Sequence, residues 1–265
     1  MKTVLLEVMP EQKGKKHYIL SKRFLSACWD QIEVKKITIP VFYVPSGVMQ
    51  SEKKLIKIVR YLKEERVKTV FLSETICKNS FLSAFFYKHF SYFTGEKVIN
   101  YKIYEILRKY ICDLGKTPEE CTLILETDSA EKAKEVILKV YKHVKKIQIK
   151  TRYPEVFSAL TEEFLDEYGL FIDVFREESK KEETVLVQLD SLCEEKGCLH
   201  LSADFEKSAT IFFRLNEKGK KIGSVFPITQ QALEFLIFMQ FGHVSEETIR
   251  LFCKEYSTKI DKIRK

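Results

Sequence analysis

The fold is decided by the stretch from Thr122 to Phe175, which reads TLILETDSAEKAKEVILKVYKHVKKIQIKTRYPEVFSALTEEFLDEYGLFIDVF. Short runs of β-branched residues alternate here with longer segments whose apolar residues recur at helical spacing. This alternation predicts a β-α-β-α-β unit, in which right-handed crossovers make the three strands a parallel sheet. The strands are predicted over Thr122–Thr127, Lys146–Thr151 and Leu170–Phe175, and the helices over Ala130–Val144 and Pro154–Tyr168.

The rest of the chain extends this α/β pattern on both sides. Further strands are predicted over Val4–Val8, His17–Leu20, Ile37–Val44, Val67–Ser73, Val185–Leu189, Cys198–Ser202 and Thr210–Leu215. Helices are predicted over Arg23–Gln31, Ser51–Glu65, Glu96–Leu114 and Thr229–Phe241, with a last helix capped by Ser245 and reaching the basic end. An aromatic-rich segment over Asn79–Phe93 covers more than one helix face, which suits burial between domains or across a subunit interface.

The composition is that of a globular protein. The chain has 265 residues, 45% of them hydrophobic, with 45 Lys and Arg against 38 Asp and Glu, which gives a net charge of +7. A chain of this length buries enough apolar surface to fold without disulfides or metals, which excludes disordered, collagen-like and mini-protein classes. Seven cysteines, an odd number spread along the chain, favour reduced thiols and a cytoplasmic location. We expect no membrane span, because the apolar run from Ala232 to Phe241 is far shorter than the roughly 20 residues required.

The positions of the nine glycines exclude the common phosphate-binding loops. Such loops need glycine at fixed offsets so that backbone N–H groups can approach a phosphate. The sequence contains neither the G-x-G-x-x-G fingerprint nor a Walker A loop, and Gly219 and Gly223 enclose no serine that could act as a nucleophile. Cys193 and Cys198 have no second cysteine or histidine cluster at zinc-site distance, so we predict no metal site.

The order of the parts resembles a known family. Residues 122–215 look like a Rossmann-type unit, and the whole chain is similar in organisation to two-domain dehydrogenases of the shikimate and amino-acid dehydrogenase kind. The strand end Ile37-Thr38-Ile39-Pro40 resembles one in the substrate domain of shikimate dehydrogenases, although Val41 and Phe42 follow where that family has a catalytic lysine. The resemblance implies that NAD(P) is a possible cofactor. Because the chain contains no dinucleotide-binding motif, the cofactor stays unknown, and the resemblance identifies no catalytic residues.

This resemblance predicts four parts. They are an N-terminal α/β domain over residues 1–95, a connecting helix over 96–114, a Rossmann-like domain over 115–226, and C-terminal helices over 227–265 that pack back on the N-terminal domain.

The first β-α turn of the Rossmann-like unit is the candidate cofactor site. Thr127, Asp128 and Ser129 stand where the family has its glycine-rich turn, and Glu131 follows closely. Carboxylates at this place repel a pyrophosphate, so we interpret Asp128 as the helix cap, with Glu131 reaching back in a capping box. Arg152 follows the second strand, where NADP-using proteins of this fold often place an arginine for the 2′-phosphate.

Other charged residues fit structural roles better than a binding role. Asp190 and Asp204 lie near predicted strand ends, where open α/β sheets bind ligands, but turn-forming or capping roles suit both. The basic clusters are mostly lysine with acidic residues interleaved, which is typical of a solvated surface, so we expect no specific nucleic-acid partner.

Two main functions are compatible with these features, and a nucleic-acid-associated protein is a third option. The first is a noncatalytic binding or interaction role on a degenerate dehydrogenase-like scaffold, with an unknown protein partner or a second copy of the chain. The alternative is an NAD(P)-dependent oxidoreductase with an atypical cofactor site that includes Thr127, Asp128, Ser129 and Arg152.

Overall fold

The structure is a computed structural model that describes residues 2–9, 22–34, 36–176, 184–190, 198–201, 209–217, 220–221 and 228–264. The predicted strand over His17–Leu20, together with Cys193 and Asp204, lies outside the described residues. The chain divides into two compact units, Met1–Phe93 with Leu215–Ser257 and Thr94–Arg214 with Thr258–Lys265. Both units combine helices with sheets, so the predicted α/β fold class is confirmed.

Strands and helices alternate through much of the chain up to residue 175, whereas the described elements between residues 173 and 221 are all strands. Those up to residue 92 are β1 (Lys2–Val8), α1 (Lys22–Ser26), β2 (Trp29–Val34), β3 (Ile37–Val44), α2 (Glu52–Glu64), β4 (Val67–Leu72), α3 (Glu74–Cys77), α4 (Ser80–His89) and β5 (Ser91–Tyr92). The next are α5 (Glu96–Asp113), β6 (Thr122–Glu126), α6 (Ala130–Val140), β7 (Lys146–Lys150), α7 (Ser158–Tyr168), β8 (Asp173–Phe175), β9 (Thr184–Gln188), β10 (Leu199–His200) and β11 (Thr210–Arg214). The last are β12 (Asn216–Glu217), β13 (Lys220–Lys221), α8 (Gln230–Phe241), α9 (Glu246–Glu255) and β14 (Lys259–Arg264).

The first unit contains a five-stranded sheet in the order β2-β3-β1-β4-β5. Strands β3, β1, β4 and β5 run parallel, while β2 forms an antiparallel hairpin with β3. The apolar stripe of α2 is buried as its spacing predicts, because Leu55, Ile58 and Leu62 are fully inaccessible in the core of this unit. Helix α8 packs on the same sheet, with the ring of Phe235 stacked on Phe71 at 4.8 Å between centroids.

The second unit contains a fully parallel sheet in the order β10-β9-β6-β7-β8. The predicted three-stranded parallel sheet is therefore confirmed and forms one side of a larger one. Its first strand in the chain, β6, lies in the centre, and the next two lie on one side and the last two on the other. This is the strand order of the Rossmann fold, and it places the topological switch point between β6 and β9.

Two predicted helices are wrong in part. The helix expected over Arg23–Gln31 ends at Ser26, because the chain from Trp29 pairs with β3 and Trp29 packs edge-on against Phe42. The last helix stops at Glu255 instead of reaching the basic end, which forms β14 and pairs antiparallel with β11. In the first case the next strand along the chain, and in the second a strand some fifty residues earlier, supplies backbone partners that the pattern within the segment does not reveal.

Within the part of the chain that the structure describes, none of the helices is both long enough and apolar enough to span a membrane.

Candidate functional site

The candidate site lies at the carboxyl edge of the second sheet, at its switch point. Open α/β sheets bind ligands in the crevice outside this edge, where neighbouring connections leave in opposite directions. Thr127 and Asp128 directly follow β6, and Asp190 comes two residues after β9. Because β6 and β9 are paired neighbours, the three residues meet at one end of the sheet.

Asp190 places its carboxylate against the turn between β6 and α6. One carboxylate oxygen, Oδ2, accepts hydrogen bonds from the Thr127 hydroxyl and, at 3.0 Å, from the backbone N–H of Asp128. The other oxygen, Oδ1, lies 2.6 Å from the Lys132 ammonium. Burial alone would raise the pKa of Asp190, but these hydrogen bonds outweigh burial and hold the pKa below its ordinary value. The turn therefore binds an anion that belongs to the protein itself.

Asp128 and Arg152 form a second charged pair at the same edge. The Asp128 carboxylate accepts hydrogen bonds from the Thr151 hydroxyl at 2.9 Å and from the Arg152 backbone N–H at 3.0 Å. Its Oδ2 atom also binds the Arg152 guanidinium through Nε, at 2.7 Å, and Nη2. Burial opposes ionisation here as well, but the hydrogen bonds prevail and the pKa of Asp128 is lowered. This fork ties the end of β7 to the turn after β6.

The predicted cap of α6 is wrong in its residue. Ser129, not Asp128, is the N-cap, and its hydroxyl accepts from the backbone N–H of Lys132. With Ser129 as the cap, the third helical position is Lys132 rather than Glu131, so Glu131 is not placed for the predicted capping box. Asp128 is unavailable as a cap because its carboxylate is engaged with Thr151 and Arg152.

A row of polar side chains crosses four strands just inside this edge. Lys150, Glu126, Gln188 and His200 occupy matched positions on β7, β6, β9 and β10. Glu126 lies 3.3 Å from the Lys150 ammonium and accepts from the Gln188 amide. The Cys198 thiol donates to Gln188 Oε1 at 3.2 Å and lies 3.1 Å from His200 Nε2. We call these five residues the polar row.

Sequence reasoning missed the polar row, although a signal for it exists. Strands β6 and β9 each end on a polar residue after a mainly apolar run, namely Glu126 and Gln188, and the alternating strand β7 ends on Lys150. Three polar ends on neighbouring parallel strands predict contact, but only once the strand order is known.

A cavity of about 250 Å³ lies beside the turn, between α5 and α6. Ser129 and Lys132 line it together with three carboxylates, those of Glu96, Glu131 and Glu135. The Lys132 ammonium already faces Asp190. The charge around this cavity is therefore more negative than positive, which is unfavourable for a pyrophosphate.

The structure thus brings together all four residues predicted for the cofactor site. Thr127 binds Asp190, Asp128 binds Arg152, and Ser129 starts α6. The described residues contain no group of three His, Cys, Asp or Glu side chains that could hold a metal ion.

No protein-family model matches the chain, and a search of curated proteins finds no matching relative. What the site does must therefore be inferred from its geometry and charge.

Proposed function

We propose that the protein has a noncatalytic binding or interaction role. In its Rossmann-like scaffold, a carboxylate of the protein occupies the position that a dinucleotide phosphate would take. The observation that carries this proposal is the Asp190 carboxylate. It accepts from the backbone N–H of Asp128 at the β6–α6 turn, the kind of group that a nucleotide phosphate uses in proteins with this strand order. The same carboxylate also forms an ion pair with the ammonium of Lys132.

The negative charge of Asp190 determines how strongly a phosphate would be repelled from the turn. A phosphate 4 Å from a carboxylate is repelled by about 4 kcal/mol at an effective dielectric of 20. That energy corresponds to roughly a thousandfold weaker binding. Glu96, Glu131 and Glu135 around the neighbouring cavity add to this repulsion. A dinucleotide would have to displace Asp190 before it could use the turn.

An interaction role is further supported by exposed apolar side chains on α7 and its flanking segments. Val156 and Leu165 are each 52% exposed, and Phe171 is 69% exposed. Tyr153 and Tyr168 are also among the exposed large side chains. Exposed large apolar side chains that lie close together in the chain are found at sites that bind another protein. We propose that this segment contacts a protein partner or a second copy of the chain.

The cytoplasm is the proposed location. Cys28, Cys77 and Cys112 are thiols rather than disulfides, which fits a reducing compartment.

The alternative, an NAD(P)-dependent oxidoreductase with an atypical site, is favoured by the position of Arg152. This side chain follows β7, where proteins of this fold can bind a 2′-phosphate, and it is 62% exposed. To bind a phosphate it would have to exchange its contact with Asp128.

Calorimetric titration with NAD, NADH, NADP and NADPH tests both functions. The wild-type chain should give no saturable heat with any of them. Asp190→Asn should gain binding of at least one of these dinucleotides through its pyrophosphate, because it removes the negative charge beside the Asp128 N–H and leaves the Lys132 ammonium without this internal anion. Asp173→Asn is the matched control, since Asp173 lies on edge strand β8 of the same sheet and pairs there with Gln148.

Saturable NADPH binding by the wild type that Arg152→Ala weakens would replace the first proposal by the second. Turnover of a 2-oxo, 3-oxo or imino acid with a dinucleotide would contradict a noncatalytic role. The partner proposal is tested separately by light scattering and by capture experiments with Phe171→Ser.

A further inference from the structure

The first unit contains a cavity at the amino end of its sheet, the end at which the parallel strands begin. The cavity has a volume of about 780 Å³ and lies where α2 and α4 end and β4 and β5 begin. It is lined by Lys63, Arg66, Val67, Lys68, Lys88, His89, Phe90 and Ser91. We call it the basic cavity.

Four basic residues line the basic cavity, namely Lys63, Arg66, Lys68 and Lys88. Within the described residues, none of the four forms an ion pair with a carboxylate. Their acidic chain neighbours are directed to other lysines. Glu64 lies 3.6 Å from Lys22, and Glu65 lies 3.8 Å from Lys2. The cavity therefore concentrates positive charge, in contrast to the interleaved charge that the sequence suggested for the surface as a whole.

The negative ends of two helices offset only part of this positive charge. Lys63 lies in the last turn of α2, and Lys88 and His89 lie in the last turn of α4, where cations ordinarily complement the negative helix end. Each helix end carries roughly half a negative charge, so two ends offset about one of the four cations. The Glu52 carboxylate, which acts on His89, offsets up to about one more, so a surplus of about two to three positive charges is left for a ligand.

The backbone of Arg66 supplies a second, independent observation. Its φ of 60° lies in the left-handed region, one residue beyond the Glu65 cap of α2. Helices commonly place glycine at this position, since a Cβ is strained there. The chain instead places there an arginine whose side chain lines the cavity. Among the described non-glycine residues, Ser257 is the other one with positive φ.

We propose that the basic cavity binds a small oligophosphate, such as the phosphate chain of a nucleotide. Its volume is that of a small-molecule site, and Arg66 offers a planar fork that matches phosphate oxygens, with lysines as point charges beside it. Ser91 adds a hydroxyl, and the buried Val67 and Phe90 give the site an apolar part.

The imidazole of His89 gives this binding a pH dependence. Burial lowers the pKa of His89, Lys63 and Lys88 lower it further, and Glu52 raises it. Arg66 and Lys68 line the same cavity. A bound phosphate adds negative charge beside the ring and favours its protonated form. Affinity should therefore increase as the pH falls from 8 to 6, with uptake of a proton on binding.

Titration of the full chain with tripolyphosphate tests the proposal. The wild type should bind saturably, and Lys63→Ala with Lys88→Ala should weaken binding at least tenfold. Lys53→Ala with Lys57→Ala is the matched charge control, because both are exposed lysines of α2 that do not line the cavity. If this double variant weakens binding as much, only net charge matters and the proposal is wrong.

Arg66→Gly separates binding from folding. Glycine relieves the left-handed backbone, so the melting temperature should stay or rise while tripolyphosphate binding falls at least tenfold. Ser257→Gly relieves the same kind of strain outside the cavity and should leave binding unchanged. No binding by the wild type, or unchanged binding by Arg66→Gly, would overturn the proposal. Binding of single-stranded oligonucleotides that strengthens with their length, without tripolyphosphate binding, would assign the cavity to nucleic acid instead.

Discussion

Replacing Asp190 by alanine should destabilise the second unit. The substitution removes an acceptor for the Thr127 hydroxyl and the Asp128 backbone N–H, and it removes the carboxylate beside Lys132. Thr127 is fully buried, so its hydroxyl has poor access to replacement water. The Lys132 side chain is 44% exposed and can be solvated again.

The magnitude follows from these three contacts. Each hydrogen bond to the charged carboxylate contributes about 1.5 kcal/mol, the low end of the usual range. The pair with half-exposed Lys132 contributes up to about 0.5 kcal/mol because solvent screens it. The expected loss for Asp190→Ala is therefore about 3 kcal/mol, or a fall in melting temperature of roughly 6–12 °C for a chain of this size.

Urea unfolding at pH 7, followed by circular dichroism, measures this loss. Asp173→Ala is the control, because Asp173 is half-exposed on an edge strand and should cost less than about 1 kcal/mol. A loss below about 1 kcal/mol for Asp190→Ala would show that the turn does not depend on its internal anion. It would also remove the main support for a closed dinucleotide position.

Three further changes have definite expected results. The folded-state pKa of Asp190 is depressed, so its contribution is present above the unfolded value of about 3.9 and is lost as pH falls through the folded pKa. The urea midpoint should therefore fall on acidification below about pH 4, and fall less in Asp190→Asn. Burial raises the pKa of the Cys28 thiol to about 11, so iodoacetamide at pH 8 should label exposed Cys112 in the native protein and Cys28 only after unfolding, as read by peptide mass spectrometry. Arg66→Gly should leave stability unchanged or raise it by up to about 1 kcal/mol in the same urea assay, because relief of a left-handed non-glycine residue is partly offset by the greater chain entropy of glycine.

The sequence predicts those features of the fold that are encoded locally. Leu55, Ile58 and Leu62 recur at helical spacing, and all three are buried because the spacing itself places them on one face. Strand β14 was missed because it forms only by pairing with β11, some fifty residues earlier in the chain. A short, charged segment of this kind has too weak an intrinsic preference for the β conformation to be recognised as a strand from its sequence.

In the candidate site, too, the features encoded locally could be predicted and those that depend on strand order could not. Thr127, Asp128 and Arg152 could be grouped from sequence, since they follow two consecutive strands of one β-α-β unit. The part played by Asp190 could not, because it depends on β9 lying beside β6 although some sixty residues separate them in the chain. The cap was assigned to the wrong residue because Asp128 and Ser129 are both suitable N-cap residues, and only the structure shows that the Asp128 carboxylate is engaged by Arg152.

The two units differ in how they balance charge, and this difference decides where an anion can bind. At the carboxyl edge of the second sheet, Lys132 and Arg152 each face a carboxylate of the protein, and the neighbouring cavity carries three more acidic groups. At the basic cavity of the first unit, the four cations pair with no carboxylate among the described residues. Parallel α/β sheets ordinarily bind phosphates at the carboxyl edge. In this chain the charges favour the amino edge of the first sheet, because an incoming phosphate there meets a surplus of cations and has no internal anion to displace.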